Sequence, residues 1–225
     1  MREIILLITA MSLFCSCAGL KIETSAQQEF ENGLALFNVG KYQQAVPRFE
    51  KATELDPNFA KAYIYLGRSY LSLRRWFDAI SPLRTALRLS PAETRQETLD
   101  ILLDALLAAA RDQFNKGNFQ SSVDYLEQGL KLEPQSNQFM SELLITLTAF
   151  GGKLLSEQQF SKAISTFEEL IQLSPDYLQG YLGLARAFWG QGEWVEAIKS
   201  VQRAATISPT HPEVEALLRE LVKPR

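Results

Sequence analysis

Two patterns of apolar and polar positions divide the chain. The first is an apolar run over residues 4–14, which is 11 residues long and too short to span a bilayer of ~30 Å as a helix. The second pattern recurs along the rest of the chain: a turn precedes an aromatic residue, a small residue follows three positions later, and a proline lies twelve positions further on. A pattern that recurs along the chain in this way predicts a row of similar structural units that stack on one another.

Five copies of the repeat can be aligned, and their prolines are 34, 43, 41 and 34 residues apart. A small residue where two helices cross lets their backbones approach, and the proline can end one helix and begin the next. The aromatic, small and proline positions are Tyr42, Ala45 and Pro57; Trp76, Ala79 and Pro91; Phe119, Ser122 and Pro134; Phe160, Ala163 and Pro175; and Trp194, Ala197 and Pro209.

These residues resemble the tetratricopeptide repeat family, whose unit of ~34 residues is a helix–turn–helix. The family pattern also has small residues at its eighth and twenty-seventh positions, and only Leu170 departs from the latter. The resemblance implies an all-α fold, a right-handed α-solenoid of five repeats with a C-terminal capping helix. The implied boundaries are 26–59, 60–93, 103–136, 144–177 and 178–211 for the repeats and 212–222 for the cap, within a solenoid of 26–222.

Extra residues precede the third and fourth repeats, at 94–102 and 137–143. Neither stretch contains glycine or proline, so both are expected to lengthen the first helix of the following repeat; the alternative is a loop insertion. Gly151 and Gly152 fall in the middle of the fourth such helix. Gly151 is the expected small contact, and Gly152 is a candidate bend.

The apolar run 4–14 is followed by the residues Cys15-Ser16-Cys17-Ala18, in which the small residue Ser16 precedes Cys17. This arrangement resembles a bacterial lipoprotein signal. Residues 1–16 would be the signal peptide, Cys17 the lipidated residue, and 17–25 a tether to the folded part. The alternative is ordinary cleavage after Ala18, which would leave no lipid. In family terms, Ala18 after the cysteine implies secretion across the inner membrane and anchoring in the cell envelope, in the outer membrane facing the periplasm.

The amino-acid composition excludes most classes of enzyme active site. Lys and Arg number 23 against 26 Asp and Glu, a net charge of −3, so nucleic acid is not an expected partner. The one histidine, His211, and the two cysteines, Cys15 and Cys17, cannot build the usual metal sites or catalytic triads. No catalytic residue, metal or cofactor is therefore expected. Acidic pairs such as Glu168 and Glu169 are expected to be solvated.

The residues expected to bind a partner line the concave face, which the resemblance places on the first helix of each repeat. Its twelfth position is apolar in all five repeats and its ninth is arginine in three. Such a surface fits an acidic, amphipathic peptide or helix, with arginines binding carboxylates. The alternative is that these side chains pack on neighbouring repeats or over aromatic rings. The candidates are Phe30, Leu34, Phe37, Ile64, Arg68, Leu71, Leu107, Arg111, Phe114, Leu155, Leu182, Arg186 and Trp189.

The sequence thus predicts a non-catalytic protein-interaction adaptor, held on a bacterial envelope membrane by a lipid anchor. Two other functions remain open. The chain could be a structural lipoprotein that associates with further copies of itself, or an accessory subunit of an enzyme complex.

Overall fold

A computed structural model describes residues 25–221, and this part of the chain contains eleven helices and no strand. The predicted signal peptide, Cys17, nearly all of the predicted tether and residue 222 of the predicted cap lie outside the described residues. The helices are α1 25–38, α2 Tyr42–Leu55, α3 Ala60–Ser72, α4 Trp76–Leu89, α5 Ala92–Asn115, α6 Phe119–Leu132, α7 Asn137–Ser156, α8 Phe160–Leu173, α9 Leu178–Gln191, α10 Trp194–Ile207 and α11 Pro212–Leu221.

The described helices fall into two compact units, which divide between residues 109 and 110, within α5. In the first unit α2 packs on α3 and α3 on α4. In the second, each helix from α6 to α10 packs on the next one, and α11 packs on α10. The predicted all-α class, with helices packed in sequential pairs, is confirmed.

The turn inside each repeat has one residue in the left-handed region of backbone space. Its N–H donates to the carbonyl oxygen three residues earlier, which ends the first helix of the pair. Glycine occupies this position in three repeats, as its freedom at positive φ favours; arginine and glutamine occupy it in the other two. The five residues are Gly40, Arg74, Gly117, Gln158 and Gly192, with φ of 75°, 56°, 75°, 58° and 85°.

Small residues on the first helix of a pair make room for one large side chain of the second. A Cβ added to Gly67 would lie 2.5 Å from Leu83, and one added to Gly151 would lie 2.4 Å from Phe167. The ring of Phe167 is also 2.3 Å from the Cβ position of Gly183 on α9. Leu83 and Phe167 are buried, so both side chains occupy closely fitted sites between helices.

Two helices are longer than the rest, α5 with 24 residues and α7 with 20, so the prediction that 94–102 and 137–143 extend helices is confirmed. The extension of α5 is docked by Thr98, whose buried hydroxyl lies 2.9 Å from that of Ser90 after α4. Helix α7 continues unbroken through Gly151 and Gly152. Its length and apolar composition would suffice to cross a membrane, but it packs on α6, α8 and α9 as a core helix.

The last helix, α11, covers the apolar edge of the second unit. Val214 is completely buried in a cluster with Leu182 and Val201, and Leu217 and Leu218 pack against that cluster. The apolar face of α11 therefore points into its own chain, as a capping helix requires.

Candidate peptide-binding cavity

An aromatic cluster joins α1, α2 and α3 in the first unit. The ring of Phe30 lies 5.0 Å from that of Phe59 and 5.6 Å from that of Tyr65, centroid to centroid. Phe37 packs edge-on against Tyr65 at 5.2 Å and against Tyr42 at 5.1 Å. Edge-to-face contacts of this kind favour ordered packing, so the cluster fixes α1 against α3 and positions Tyr65.

A cavity of about 380 Å³ opens beside this cluster, between α3 and the beginning of α5. Ile64, Tyr65, Ala60 and Pro91 give it mainly carbon surface. Helix α3 presents Ala60, Ile64 and Arg68 on one face because they are four residues apart. The complete lining is Ala60, Lys61, Ile64, Tyr65, Arg68, Pro91, Thr94 and Glu97.

Two cations and one carboxylate set the charge of this cavity. Arg68 Nη2 lies 2.5 Å from Glu97 Oε1, and the Arg68 guanidinium lies 5.5 Å from the centre of the Tyr65 ring. Lys61 has no ion-pair partner within residues 25–221. The lining therefore carries one positive charge in excess, on a side chain available to an anion.

The two other predicted arginines are also paired with glutamates of their own chain. Arg111 places Nε and Nη2 at 3.0 and 2.5 Å from Glu142 Oε1 on α7. Arg186 Nη2 lies 3.3 Å from Glu213 Oε1 on α11. Each predicted arginine thus joins the first helix of one pair to the next such helix, or to the cap, so an incoming carboxylate would have to displace a glutamate.

The remaining predicted residues differ in exposure. Phe30, Leu107 and Leu182 are buried, so they contribute to packing between helices and offer almost no surface to a partner. They share the fifth position of the repeat. The half-buried residues are Leu34, Phe37, Ile64, Leu71, Phe114, Leu155 and Trp189.

Three of the half-buried residues lie against neighbours in the second unit. Phe114 stacks edge-on with Phe119 at 5.3 Å, and Trp189 does so with Trp194 at 4.5 Å. Leu155 packs on the core cluster that contains Phe167. Of all the predicted residues, the cavity brings together only Ile64 and Arg68.

The candidate residues predicted from the sequence did not include six that line the cavity: Ala60, Lys61, Tyr65, Pro91, Thr94 and Glu97. Thr94 and Glu97 lie in the extended part of α5, outside the repeat boundaries, and Pro91 occupies the proline position of the second repeat. The family pattern therefore places none of the three on the concave face. The one usable signal is the helical interpretation of 94–102, because it places Glu97 on the first helix of the third repeat, α5.

The polar groups of residues 25–221 include no cluster of three or more metal-ligating side chains. His211 Nδ1 accepts a hydrogen bond of 3.3 Å from the backbone N–H of Glu213, so the imidazole caps the beginning of α11.

The expectation that Glu168 and Glu169 are both solvated holds only for Glu168. Glu169 is half-buried, and this burial, together with the charge of Glu127, raises the pKa of its carboxyl.

Comparison with protein families gives two matches, both to models described as tetratricopeptide repeat, over residues 30–94 and 154–221. Together they cover more than half of the chain.

Curated relatives match at low identity and over part of their own length. The human protein O-mannosyl-transferase TMTC1 is 23% identical over 79% of this chain and 19% of its own. A DnaJ homolog subfamily C member 7 homolog from Schizosaccharomyces pombe is 24% identical over 74% of this chain and 35% of its own. The chain therefore spans about a fifth and a third of these relatives.

Among solved structures, a TPR repeats protein from Bacteroides fragilis superposes with a TM-score of 0.62. The two are 14% identical, and the match covers 88% of this chain and 98% of that one. At this identity the likeness concerns the fold.

Proposed function

Because the chain belongs to the tetratricopeptide repeat family, we propose that it is a non-catalytic adaptor that binds a segment of a partner protein in the cavity between α3 and α5. Helical repeats of this type present surfaces for other proteins. The observation that carries the proposal is a cavity with a carbon-rich lining that includes Lys61, a cation without an ion-pair partner in the described part of the chain.

The lining indicates the chemistry of the partner segment. Ile64 and Tyr65 provide surface for an apolar side chain, and burying such a side chain contributes roughly 1.5–3 kcal/mol. Lys61 and Arg68 favour a carboxylate next to it. The partner segment is therefore apolar and acidic, and it supplies either an Asp or Glu side chain or a free C-terminus.

Selection from a peptide library, followed by binding measurements on two variants, tests this proposal. Ile64→Asp places a carboxylate in the cavity and should weaken binding of the selected peptides at least tenfold. Val195→Asp makes the same change at an exposed position of α10 and should leave the affinity unchanged. Equal affinities for the two variants, both folded, would place the binding site outside the cavity.

The proposed location is the periplasmic face of the outer membrane, reached by secretion across the inner membrane and held by a lipid on Cys17. The support is the sequence around Cys17, which resembles a lipoprotein signal. Growth with radiolabelled palmitate tests it: the protein should carry label and sediment with membranes, whereas Cys17→Ala should be unlabelled and soluble. Membrane retention of an unlabelled Cys17→Ala protein would favour an uncleaved anchor.

Neither alternative function gains support from a specific contact. Self-association through the cap would need apolar surface on α11, but Val214, Leu217 and Leu218 pack into their own chain. The relative named as a mannosyl-transferase matches over 19% of its length, which supports shared repeats as the common feature and not a shared reaction.

A further inference from the structure

The cavity between α3 and α5 contains a carboxylate of its own, and this determines how a partner carboxylate can bind. Of the two cationic side chains in the cavity, Arg68 is the larger, and its Nη2 lies 2.5 Å from Glu97 Oε1. Both side chains line the cavity. A carboxylate approaching Arg68 therefore meets a guanidinium that is already neutralised, and Lys61 is the cation left available.

We propose that Glu97 is a built-in competitor: it occupies Arg68 in the free protein and is displaced when a partner carboxylate enters the cavity. This inference rests on the proposed function, since it names a residue that sets the affinity of the same site. Glu97 restricts strong binding to segments that supply a carboxylate together with an apolar side chain, because the apolar contact must offset the loss of the internal pair.

The exposure of the pair makes displacement feasible. The Glu97 side chain is 64% exposed and that of Arg68 is 32% exposed. Ion pairs this accessible to water contribute little to stability, so an incoming anion can replace Glu97 without disrupting the fold. Arg68 also keeps its contact with the Tyr65 ring, which holds the guanidinium in the cavity when Glu97 leaves.

The position of Glu97 within α5 also allows its side chain to leave Arg68. Residues 91–97 are all exposed, and the first buried residue of this helix is Thr98. Glu97 is thus the last residue before the docked part of α5, and its side chain can turn to water while the backbone stays fixed by Thr98.

The same chain offers a matched control. Arg111 on α5 and Glu142 on α7 form an equivalent pair, and neither residue lines this cavity. Removing the charge of Glu142 therefore tests the general effect of one acidic residue fewer, whereas removing that of Glu97 tests competition inside the cavity.

The experiment uses N-acetyl-Leu-Leu, which has two apolar side chains and a carboxylate, and its C-terminal amide. Binding to the full chain is followed by the NMR signal of an isotope-labelled Ile64 methyl group, which reports from within the cavity. Glu97→Gln should bind the acid about two- to fivefold more tightly than wild type does, the range expected for release from a surface ion pair. Its affinity for the amide should not change.

Two further variants separate the possible outcomes. Glu142→Gln should bind like wild type, and Glu97→Gln should give no gain when Arg68 is already Gln. Equal binding of the acid by wild type and Glu97→Gln would overturn the competitor role while leaving the cavity as the binding site. An Ile64 signal that moves with neither ligand in either protein would overturn both the competitor role and the proposed function.

Discussion

Adjacent glycines in α7 should respond in opposite directions to the same substitution. Gly151 faces the core, where an added Cβ would lie 2.4 Å from the Phe167 ring. Gly152 faces open space, with no atom within 4 Å of its Cβ position. Gly151→Ala and Gly152→Ala therefore add the same methyl group to the same helix, one inside the core and one outside it.

The magnitudes follow from two opposing effects. Replacing glycine by alanine in a helix interior stabilises it by about 1 kcal/mol, and this applies to both positions. Overpacking a core costs about 1–3 kcal/mol. The higher part of that range applies to Gly151, because Phe167 is also held by Gly183, whose Cβ position lies 2.3 Å from the ring on the α9 side. The ring cannot move away from one helix without colliding with the other.

We expect Gly152→Ala to be more stable than wild type by about 0.5–1 kcal/mol and Gly151→Ala to be less stable by about 1–2 kcal/mol. Urea denaturation followed by far-UV circular dichroism measures both. Melting temperatures should rise and fall by a few degrees accordingly. A Gly151→Ala protein as stable as wild type, or a destabilised Gly152→Ala protein, would refute the packing argument.

Three further substitutions test local features of the second unit by the same denaturation assay. Ser122 has a buried hydroxyl without a hydrogen-bond partner in the described part of the chain, so Ser122→Ala should add about 1 kcal/mol of stability. Gln158 holds φ of 58°, and Gln158→Gly should add about 1 kcal/mol by relieving that conformation. Burial and the charge of Glu127 raise the pKa of Glu169 above 4.5. Glu169→Gln should therefore stabilise the protein at pH 7 by less than about 1 kcal/mol, with the gain vanishing below about pH 4.5.

The sign of the Glu169 effect follows from linkage. A raised pKa means that the folded state binds the proton more tightly than the unfolded state, so the protonated form stabilises the fold at low pH and that contribution is lost as the pH rises. Glu168→Gln is the control, because Glu168 is exposed on the same helix. A gain of equal size and pH dependence in Glu168→Gln would mean that net charge, and not burial, causes the effect.

Loss of stability in Ser122→Ala or Gln158→Gly would contradict the contacts assigned to those residues.

Much of the fold was accessible from the sequence because it depends on local rules. The aromatic, small and proline positions recur with the helix pairs, and the absence of glycine and proline in 94–102 correctly predicted the extension of α5. Arg74 and Gln158 gave no such signal, since neither residue type favours the left-handed turn that both adopt.

Only part of the candidate site could be predicted. A residue's position in the repeat pattern does not reveal whether the next helix covers its side chain. Phe30, Leu107 and Leu182 share a position with Ile64, yet they are buried and Ile64 lines a cavity. The glutamate partners of the three arginines could not be predicted from the sequence either. They lie 29, 31 and 27 residues further along the chain, and unequal spacings of this kind leave no repeat pattern.

Site-specific photo-crosslinking in living cells is the most direct test of whether the cavity between α3 and α5 binds a partner protein. A photoreactive phenylalanine analogue is placed at position 64, in the cavity, or at position 195, on the exposed face of α10. We expect a discrete protein adduct from position 64 that is absent from position 195 and is strengthened by Glu97→Gln. An adduct of equal yield from both positions, or none from position 64, would contradict it.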